Sequence, residues 1–333
     1  MHLFYPNTRL RRNKKHGWSR ELFAESHVKP SDLIMPVFIK EGGTEAIESM
    51  PGISVLSVDD CVRNVAAAYE AGIRAVMLFP RIAQERKDAM GSYALSKDSV
   101  VCKAIEQIKK TVPEIGIIVD IALDPYTTHG HDGVLDEDGF VDNDKTIEIL
   151  AQQSLVMADV GCDVVSPSDM MDGRISAVRN ALENNRFYNI QIFSYSAKYA
   201  SKLYAPFRNA IKSVGCLGNT DKKHYQLDPG NSLDAIRKTK MDLEEGADSI
   251  IVKPAMFYLD IVKEIKNRHQ TNVIVYQVSG EYSSLKIAAM NGVYDYRDVQ
   301  MEFLLSCKRA GASCIITYDA LNLAKVLISN RVD

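Results

Sequence analysis

Two lysines lie where the chain could carry out amine chemistry. Lys198 follows the apolar run NIQIFSYS (189–196), and Lys253 follows ADSIIV (247–252). Burial and a neighbouring cation both lower the pKa of a lysine, and the neutral amine that results attacks carbonyl carbons to form a Schiff base. A single lysine at such a position is more often an ion-pair partner or a phosphate ligand. Two of them, flanked by carboxylates and hydroxyls, predict a site that binds two carbonyl substrates together.

Polar residues end most of the other predicted strands. Because the carboxyl ends of barrel strands meet on one face, these residues predict a polar ring around the two lysines. The aromatic residues of SYSAKYASKLYAPFR (194–208) supply apolar surface that would desolvate an amine, and Lys202 in that stretch is a rival lysine. The strand-end candidates are Asp120, Asp124, Ser166, Ser168, Asp169, Ser196, Ser279, Tyr318 and Asp319.

The densest polar motif is DIALDPYTTHGHDG (120–133). Its His129-x-His131 pair resembles the paired ligands of metal-dependent hydrolases, but it lies well beyond the end of its strand. No later strand end offers a histidine, so a histidine-rich zinc site is not expected. Asp120 and Asp124 are then predicted to orient and polarise amine and water groups.

A recurring pattern predicts the elements that position these residues. A helix that ends in glycine is followed by a short apolar run at 70–80, 159–169, 244–254 and 309–320, as expected for a helix C-cap and a buried parallel strand. Further runs at 33–39, 116–123, 189–196 and 272–279 make eight strands that alternate with amphipathic helices. This predicts an α/β protein with a (β/α)8 TIM barrel. An open doubly wound sheet is the alternative, and the absence of G-x-G-x-x-G after the first strand counts against it.

Two segments do not fit the alternation. Residues 1–30 are basic and irregular, and we expect them to form an N-terminal arm that packs on a neighbouring subunit. Residues 201–232 lack clear periodicity and directly follow a strand, which predicts an active-site lid loop. The catalytic barrel would then occupy residues 31–333.

Composition excludes several classes of protein. The 333 residues hold 40 Lys+Arg and 43 Asp+Glu, a net charge of −3 that argues against a nucleic-acid partner held by bulk charge. No apolar run approaches the roughly 20 residues that cross a bilayer, and the N-terminus does not read as a secretory signal. The six cysteines are dispersed, which is typical of reduced thiols. We expect a cytoplasmic protein without a membrane partner.

Taken together, the motifs resemble the 5-aminolevulinate dehydratase (porphobilinogen synthase) family over essentially the full chain. The resemblance implies a hydro-lyase of haem and tetrapyrrole biosynthesis that condenses two 5-aminolevulinate molecules asymmetrically to porphobilinogen, releasing two waters. It also implies a homo-oligomer, usually an octamer, in which N-terminal arms wrap neighbouring subunits. The motifs that carry it are DIALDPYTTHGHDG (120–133), SPSDMMDGR (166–174), SAKY (196–199), APFR (205–208), YQLDP (225–229), VKP (252–254), YQVSGEY (276–282) and ITY (316–318).

The resemblance also assigns roles. Lys253 would form a Schiff base with the molecule that becomes the propionate side, and Lys198 with the acetate-side molecule. Ser279 and Tyr318 would bind one substrate carboxylate. Ser168 is a further substrate-binding candidate, and Asp120 and Asp124 are catalytic candidates. The other carboxylate would be held from the lid by Arg208, Lys222 and Gln226, with Lys223 as an alternative to Lys222.

Three positions indicate which metal ion the site would bind. Zinc-dependent members carry cysteines where this chain has Ala122, Asp124 and Asp132, so the resemblance is to the aspartate-rich, magnesium-responsive branch without active-site zinc. Hard carboxylates favour Mg²⁺, which makes Asp124 and Asp132 candidate ligands. In that branch a second, allosteric Mg²⁺ is bound through an acidic residue. The aligned position here is Lys238, whose ammonium can replace the ion. Alternatively, Glu245 or Glu244 can be the acidic residue that binds it. Mg²⁺ is the expected cofactor, in an allosteric or activating role, and no organic cofactor is expected.

Two other functions fit parts of the sequence. Another Schiff-base aldolase on the same barrel would need one reactive lysine and often a phosphate site after strands seven and eight. The VSGEY and TYDA segments there offer Ser and Tyr rather than a glycine-rich cradle. A non-catalytic binding protein would keep its function without either lysine, and the polar strand ends argue against it.

Overall fold

A computed structural model describes residues 5–211 and 221–329. Eight parallel strands form a closed barrel, in which the last strand pairs with the first through Leu33 and Ile315. The predicted (β/α)8 barrel and all eight predicted strands are confirmed. The strands are β1 (Leu33–Lys40), β2 (Glu45–Ala46), β3 (Ser54–Leu56), β4 (Ala75–Arg81), β5 (Gly116–Ile121), β6 (Val164–Pro167), β7 (Gln191–Lys198), β8 (Ser249–Lys253), β9 (Val273–Tyr276) and β10 (Cys314–Ile316), of which β2 and β3 form an antiparallel pair beside the barrel.

Helices surround the barrel and extend from it. They are α1 (Gly17–Leu22), α2 (Val58–Glu70), α3 (Val100–Thr111), α4 (Asn143–Asp159), α5 (Arg174–Asn184), α6 (Ala205–Ile211), α7 (Leu233–Glu244), α8 (Leu259–His269), α9 (Ser279–Met290), α10 (Tyr296–Ala310) and α11 (Ala320–Ser329). In the described parts of the chain, no helix combines the length and apolar character that a membrane crossing requires.

The barrel strands are largely apolar because both of their faces are buried. Along β4, Val76 and Leu78 join the core between barrel and helices, whereas Met77 and Phe79 join the core inside the barrel. Burial of a side chain of this size contributes roughly 1.5–3 kcal/mol, and alternation along each strand divides that contribution between two cores. The barrel interior is therefore a packed support for the residues at its mouth.

Four glycines terminate helices as predicted. Gly72, Gly161, Gly246 and Gly311 have φ values of +82°, +97°, +106° and +112°, a region that L-amino acids with a Cβ rarely adopt. Each turns the chain directly from a helix into the next buried strand.

The two irregular segments contain short helical elements. Residues 10–14 form a 3-10 turn ahead of α1, and the assignment of residues 1–30 as a subunit-wrapping arm stays a prediction. The lid segment is more regular than predicted, with 3-10 turns at Lys202–Tyr204 and Lys222–His224 and the helix α6. Pro206 lies in the first turn of α6, where its missing N–H costs nothing. The part of the predicted lid at 212–220, with Cys216, lies outside the described residues.

Candidate active site

The two lysines meet at the mouth of the barrel. Lys198 ends β7 and Lys253 ends β8, and the two residues are direct partners in the parallel register. β7 extends two residues beyond the end of the predicted strand at 189–196, so Lys198 belongs to the strand itself. The lysines are 5% and 6% exposed. They line a cavity together with Asp120, Asp124, Asp132, Ser168, Tyr204, Phe207, Arg208, Lys222 and Gln226.

Lys253 is surrounded by aromatic rings. Its Nζ lies 4.5 Å from the ring centroid of Tyr276 and 5.1 Å from those of Tyr195 and Phe207. Burial, and after it the positive charge of Lys198, lower the pKa of Lys253 to about 7. A substantial fraction of this amine is therefore neutral near neutral pH, as nucleophilic attack on a carbonyl requires.

Lys198 has a different environment. Its Nζ donates to Asp132 Oδ1 at 3.0 Å and also to the Ser168 carbonyl oxygen. Burial by itself would raise the pKa of Asp132, but Lys198 and Lys222 outweigh burial and hold that pKa below its usual value. The two amines therefore differ: Lys253 is surrounded by aromatic rings, whereas Lys198 is hydrogen-bonded to a carboxylate.

Asp120 is a buried acid whose pKa lies close to that of Lys253. It lies on β5 in register with Ser166, is buried, and has one carboxylate oxygen, Oδ1, without a hydrogen-bond partner. Burial raises the pKa of Asp120 to about 7, even though Lys253 and Lys198 oppose that shift. A carboxyl group with this pKa exchanges protons readily at neutral pH, which suits a general acid or base.

The lid segment places a third ammonium over the carboxylates. Lys222 Nζ lies 2.7 Å from Asp132 Oδ2 and 3.4 Å from Asp124 Oδ2. Its neighbour Lys223 has a side chain that is 69% exposed, so Lys222 is the lysine that faces the cavity. Gln226 Oε1 is buried without a hydrogen-bond partner. Lys222, Gln226 and Arg208 thus present cationic and polar groups to the same cavity.

Two predicted substrate ligands lie outside the cavity lining. β9 ends at Tyr276, so Ser279 begins α9 instead of ending a strand, because the Val278-Ser279-Gly280-Glu281 segment caps a helix. Ser279 Oγ accepts from the Phe207 N–H at 2.9 Å and donates to the Leu203 carbonyl at 3.3 Å. The Tyr318 hydroxyl is 3.0 Å from that of Tyr276.

The candidate metal ligands already have cationic or backbone partners. Lys222 bridges Asp124 and Asp132, so this arrangement does not fit a Mg²⁺ ion between the two carboxylates. Glu245 lies away from the cavity at the C-terminus of α7, where it accepts from the Ser176 N–H at 3.2 Å. Within residues 5–211 and 221–329, no group of three or more His, Cys, Asp or Glu side chains is arranged to hold a metal.

Two tyrosines of the site make hydrogen bonds that the sequence did not predict. The Tyr225 hydroxyl donates to Asp132 Oδ2 at 2.7 Å, and the Tyr204 hydroxyl donates to the Lys253 carbonyl at 3.1 Å. Both lie in the segment 201–232, where the sequence has no periodicity from which to infer direction. The aromatic content of that segment was the available signal, and it pointed only to apolar packing.

Comparisons with known proteins identify the family of the chain. The family model described as "Delta-aminolevulinic acid dehydratase" matches residues 7–326. A delta-aminolevulinic acid dehydratase from Bradyrhizobium diazoefficiens is 44% identical over 96% of this chain and 90% of its own, and one from Bacillus subtilis is 42% identical over 97% and 98%.

A solved structure is similar in both sequence and fold. It is delta-aminolevulinic acid dehydratase (porphobilinogen synthase) from Toxoplasma gondii, crystallised with the reaction product porphobilinogen. It superposes with a TM-score of 0.95 at 43% identity, covering 97% of this chain and 92% of its own. Family match, sequence identity and fold agree over nearly the whole length, and the chain therefore belongs to the delta-aminolevulinic acid dehydratase family.

Proposed function

We propose that this protein condenses two molecules of 5-aminolevulinate to porphobilinogen and releases two molecules of water. The observation that carries the proposal is the pairing of Lys198 and Lys253 on adjacent strands in one cavity. Each substrate molecule has a ketone, an amine and a carboxylate. Two lysines match two ketones, and the cationic side chains of Arg208 and Lys222 match a carboxylate.

The first Schiff base would form at Lys253. Its neutral amine attacks the substrate ketone, a C–N bond forms, and the carbonyl oxygen leaves as water. Asp120 is buried at the same cavity with its pKa near that of the amine, so it can give a proton to the departing oxygen and take one from the nitrogen. The rings around Lys253 favour the neutral amine by excluding water.

The second substrate would react at Lys198. This amine must exchange its contact with Asp132 for the ketone carbon, and Lys222 and Tyr225 then keep that carboxylate paired. A carbon of the substrate on Lys198 then forms a C–C bond to the imine carbon on Lys253, and the Lys253 amine is eliminated. The amine of the Lys253-side substrate attacks the imine carbon on Lys198 and displaces the Lys198 amine, which closes the ring, and proton loss makes it aromatic. Ser279 and Tyr318 are proposed for the second carboxylate. Phe207 connects the two regions, because its backbone N–H donates to Ser279 and its ring lies beside the Lys253 amine.

The pH dependence of kcat/KM is expected to be bell-shaped and centred near pH 7. Below about pH 7, protonation of Lys253 removes the nucleophile, so kcat/KM should fall about tenfold per pH unit. Above about pH 7, ionisation of Asp120 removes the proton donor, and kcat/KM should fall again. Initial rates between pH 5 and pH 9 test this, each limb being a property of the coupled pair. A kcat/KM that still rises steeply at pH 9, as expected for an ordinary lysine that titrates near pH 10, would contradict it.

Added Mg²⁺ is proposed to be dispensable because Lys238 supplies an internal cation. Its Nζ donates to the Met171 carbonyl and to Asp172 Oδ1, each at 3.2 Å, and lies 3.6 Å from the buried Asp242 carboxylate. Protein stripped with EDTA should keep its rate within about twofold when Mg²⁺ or Zn²⁺ is added. Lys238→Gln leaves the Asp242 carboxylate with one cation fewer. We therefore expect a lower rate, a lower Tm and a free energy of unfolding reduced by about 1–3 kcal/mol.

Lys240→Gln is the matched control for this experiment. Lys240 lies on the same helix, and its side chain is 65% exposed in an ion pair with Glu244. Exposed pairs contribute little, so rate and Tm should not change. Stimulation of the stripped wild-type protein more than fivefold by Mg²⁺ would contradict the proposal and favour an ion near Glu245.

The assembly and location are also proposals. The arm exposes large apolar side chains in the single chain, including Trp18 at 67% and Phe23 at 58% exposure, which is consistent with packing against another subunit. We infer a homo-octamer with exchanged arms. The five cysteines among the described residues are free and mostly buried, which supports a cytoplasmic location.

The test of the proposed function is colorimetric detection of porphobilinogen after incubation of the protein with 5-aminolevulinate. Product formation supports the proposal. Absence of product in the presence of Mg²⁺, of Zn²⁺ and of neither would overturn it.

A further inference from the structure

Glu281 is a buried carboxylate that lies next to the catalytic cavity but does not line it. It is the third residue of α9 and is 2% exposed. Three backbone N–H groups donate to it: Met256 to Oε1 at 2.6 Å, and Val278 and Ala255 to Oε2 at 2.7 Å and 3.3 Å. A carboxylate is suited to this position because it accepts several hydrogen bonds and, when ionised, donates none.

The three donors belong to two different strand ends. Ala255 and Met256 follow Lys253 across Pro254, beyond the last residue of β8. Val278 lies beyond the last residue of β9 and immediately precedes Ser279. Because these N–H groups lie beyond the strand ends, they have no partner strand to donate to. They lie in a buried region, where an unpaired donor is costly. Glu281 therefore ties the turn after the nucleophilic lysine to the start of α9.

The backbone on the other side of this turn is held as well. The Lys253 carbonyl accepts from the Tyr199 N–H at 2.9 Å and from the Tyr204 hydroxyl at 3.1 Å. The Tyr204 ring is also one of those around the amine, 5.3 Å from Nζ. Contacts before and after Pro254 thus fix the peptide planes that set the direction of the Lys253 side chain.

The α9 end of this connection is equally tight. Gly280 packs so closely on the lid segment that an added Cβ would lie 2.5 Å from the Leu203 carbonyl oxygen. Ser279 binds Leu203 and Phe207 through its hydroxyl. A shift of the 278–281 segment would therefore displace both the turn after Lys253 and the lid residues that face the amine.

We propose that Glu281 is a positioning residue that aims the Lys253 amine at the substrate ketone by clamping the 254–256 turn to the start of α9. The inference rests on the proposed function and deepens it. In the step concerned, the amine adds to the ketone carbon, the C–N bond forms and the oxygen leaves as water. Borohydride then delivers hydride to the imine carbon, which leaves a stable secondary amine on the lysine.

The test is Glu281→Gln, which keeps the size of the side chain but replaces one acceptor oxygen with an amide that donates. If the amide NH₂ replaces Oε1, it faces the Met256 N–H, and if it replaces Oε2, it faces the Val278 and Ala255 N–H groups. In either case a donor faces a donor and a hydrogen bond is lost. Misplacement of a reacting group by about 1 Å can cost about 100-fold in rate, so we expect kcat to fall about 10- to 100-fold. Borohydride trapping of 5-aminolevulinate at Lys253 should slow by the same factor, while trapping at Lys198 stays within about twofold.

The ratio of trapping at the two lysines separates positioning from folding. Loss of folded protein would lower trapping at both lysines equally, whereas the clamp acts on Lys253 alone. Ser283→Ala is the matched control, because it removes another buried hydrogen bond of α9, to the Ser49 carbonyl at 2.7 Å, without touching the clamp. Its ratio should equal that of the wild type.

Glu281→Asp decides the matter if Glu281→Gln does not fold. It keeps the charge but withdraws the carboxylate by one methylene, and the Lys253-to-Lys198 trapping ratio should fall at least threefold. A wild-type ratio in a folded Glu281 variant, or an equal fall in Ser283→Ala, would overturn the inference. Failure of the wild-type protein to make porphobilinogen would instead refute the proposed function.

Discussion

Lys253→Ala is expected to lower porphobilinogen formation by at least about 1,000-fold, since removal of a covalent nucleophile leaves only binding and proton transfer to assist the reaction. No other described amine lies in the ring of Tyr195, Tyr204, Phe207 and Tyr276. The lost side chain therefore has no substitute. The measurement is the initial rate of product formation at saturating 5-aminolevulinate.

Lys202→Ala is the control for this variant. Lys202 is the rival lysine of the same region, and it is the exposed first residue of the 3-10 turn at the start of the lid segment. Its loss should change the rate less than about threefold. Retention of more than a tenth of the wild-type rate by Lys253→Ala would show that this amine is not the nucleophile.

Lys198→Ala is expected to lower turnover by about 100- to 1,000-fold while leaving adduct formation at Lys253 intact. Its charge is one of the causes that lower the pKa of Lys253. Removing that charge should raise the Lys253 pKa and move the acid limb of borohydride trapping at Lys253 to higher pH. The variant would then need more alkaline conditions for the first step and would lack the second amine.

Lys198→Arg distinguishes the two effects of this substitution. A guanidinium keeps the positive charge beside Lys253 and Asp132 but does not form a Schiff base with a ketone. Turnover should fall as in Lys198→Ala, while the acid limb of trapping at Lys253 stays at its wild-type position. Wild-type turnover in either variant would rule out a mechanism with two Schiff bases.

The barrel and the lysine pair were predictable because their signals are local. Glycine at Gly72, Gly161, Gly246 and Gly311 marks the helix ends, and the apolar runs that follow have the length and composition of buried strands. Since adjacent strands of a barrel end on the same face, Lys198 and Lys253 had to lie close together once the strands were recognised.

The partners of the charged residues were not predictable in the same way. Arg174 is wholly buried and donates to the Asp242 carboxylate, which in turn accepts from Ser194 and Ser196 at 2.6 Å, supporting β7 beside Lys198. These contacts join residues far apart in the chain, so no spacing rule reports them. Glu281 is a similar case, because its three donors come from two strand ends.

The lid segment shows a further limit of sequence reasoning. Residue type indicated that a cation from this segment would enter the site, but Lys222 and Lys223 are neighbours of the same type. Only the three-dimensional arrangement separates them, with Lys222 bound to Asp132 and Lys223 exposed. Likewise, the apolar run at 272–279 predicted a strand that ends at Ser279, but β9 ends at Tyr276 and Ser279 begins α9.

The most direct test of the central claim is to map where 5-aminolevulinate attaches to the protein. Wild-type protein is incubated with the substrate and borohydride, digested, and analysed by mass spectrometry. A mechanism with two Schiff bases predicts reduced adducts on Lys198 and Lys253, with Lys202, Lys222 and Lys223 unmodified. An adduct on neither Lys198 nor Lys253, or on only one of them at every substrate concentration tested, would contradict a mechanism in which both amines bind substrate covalently.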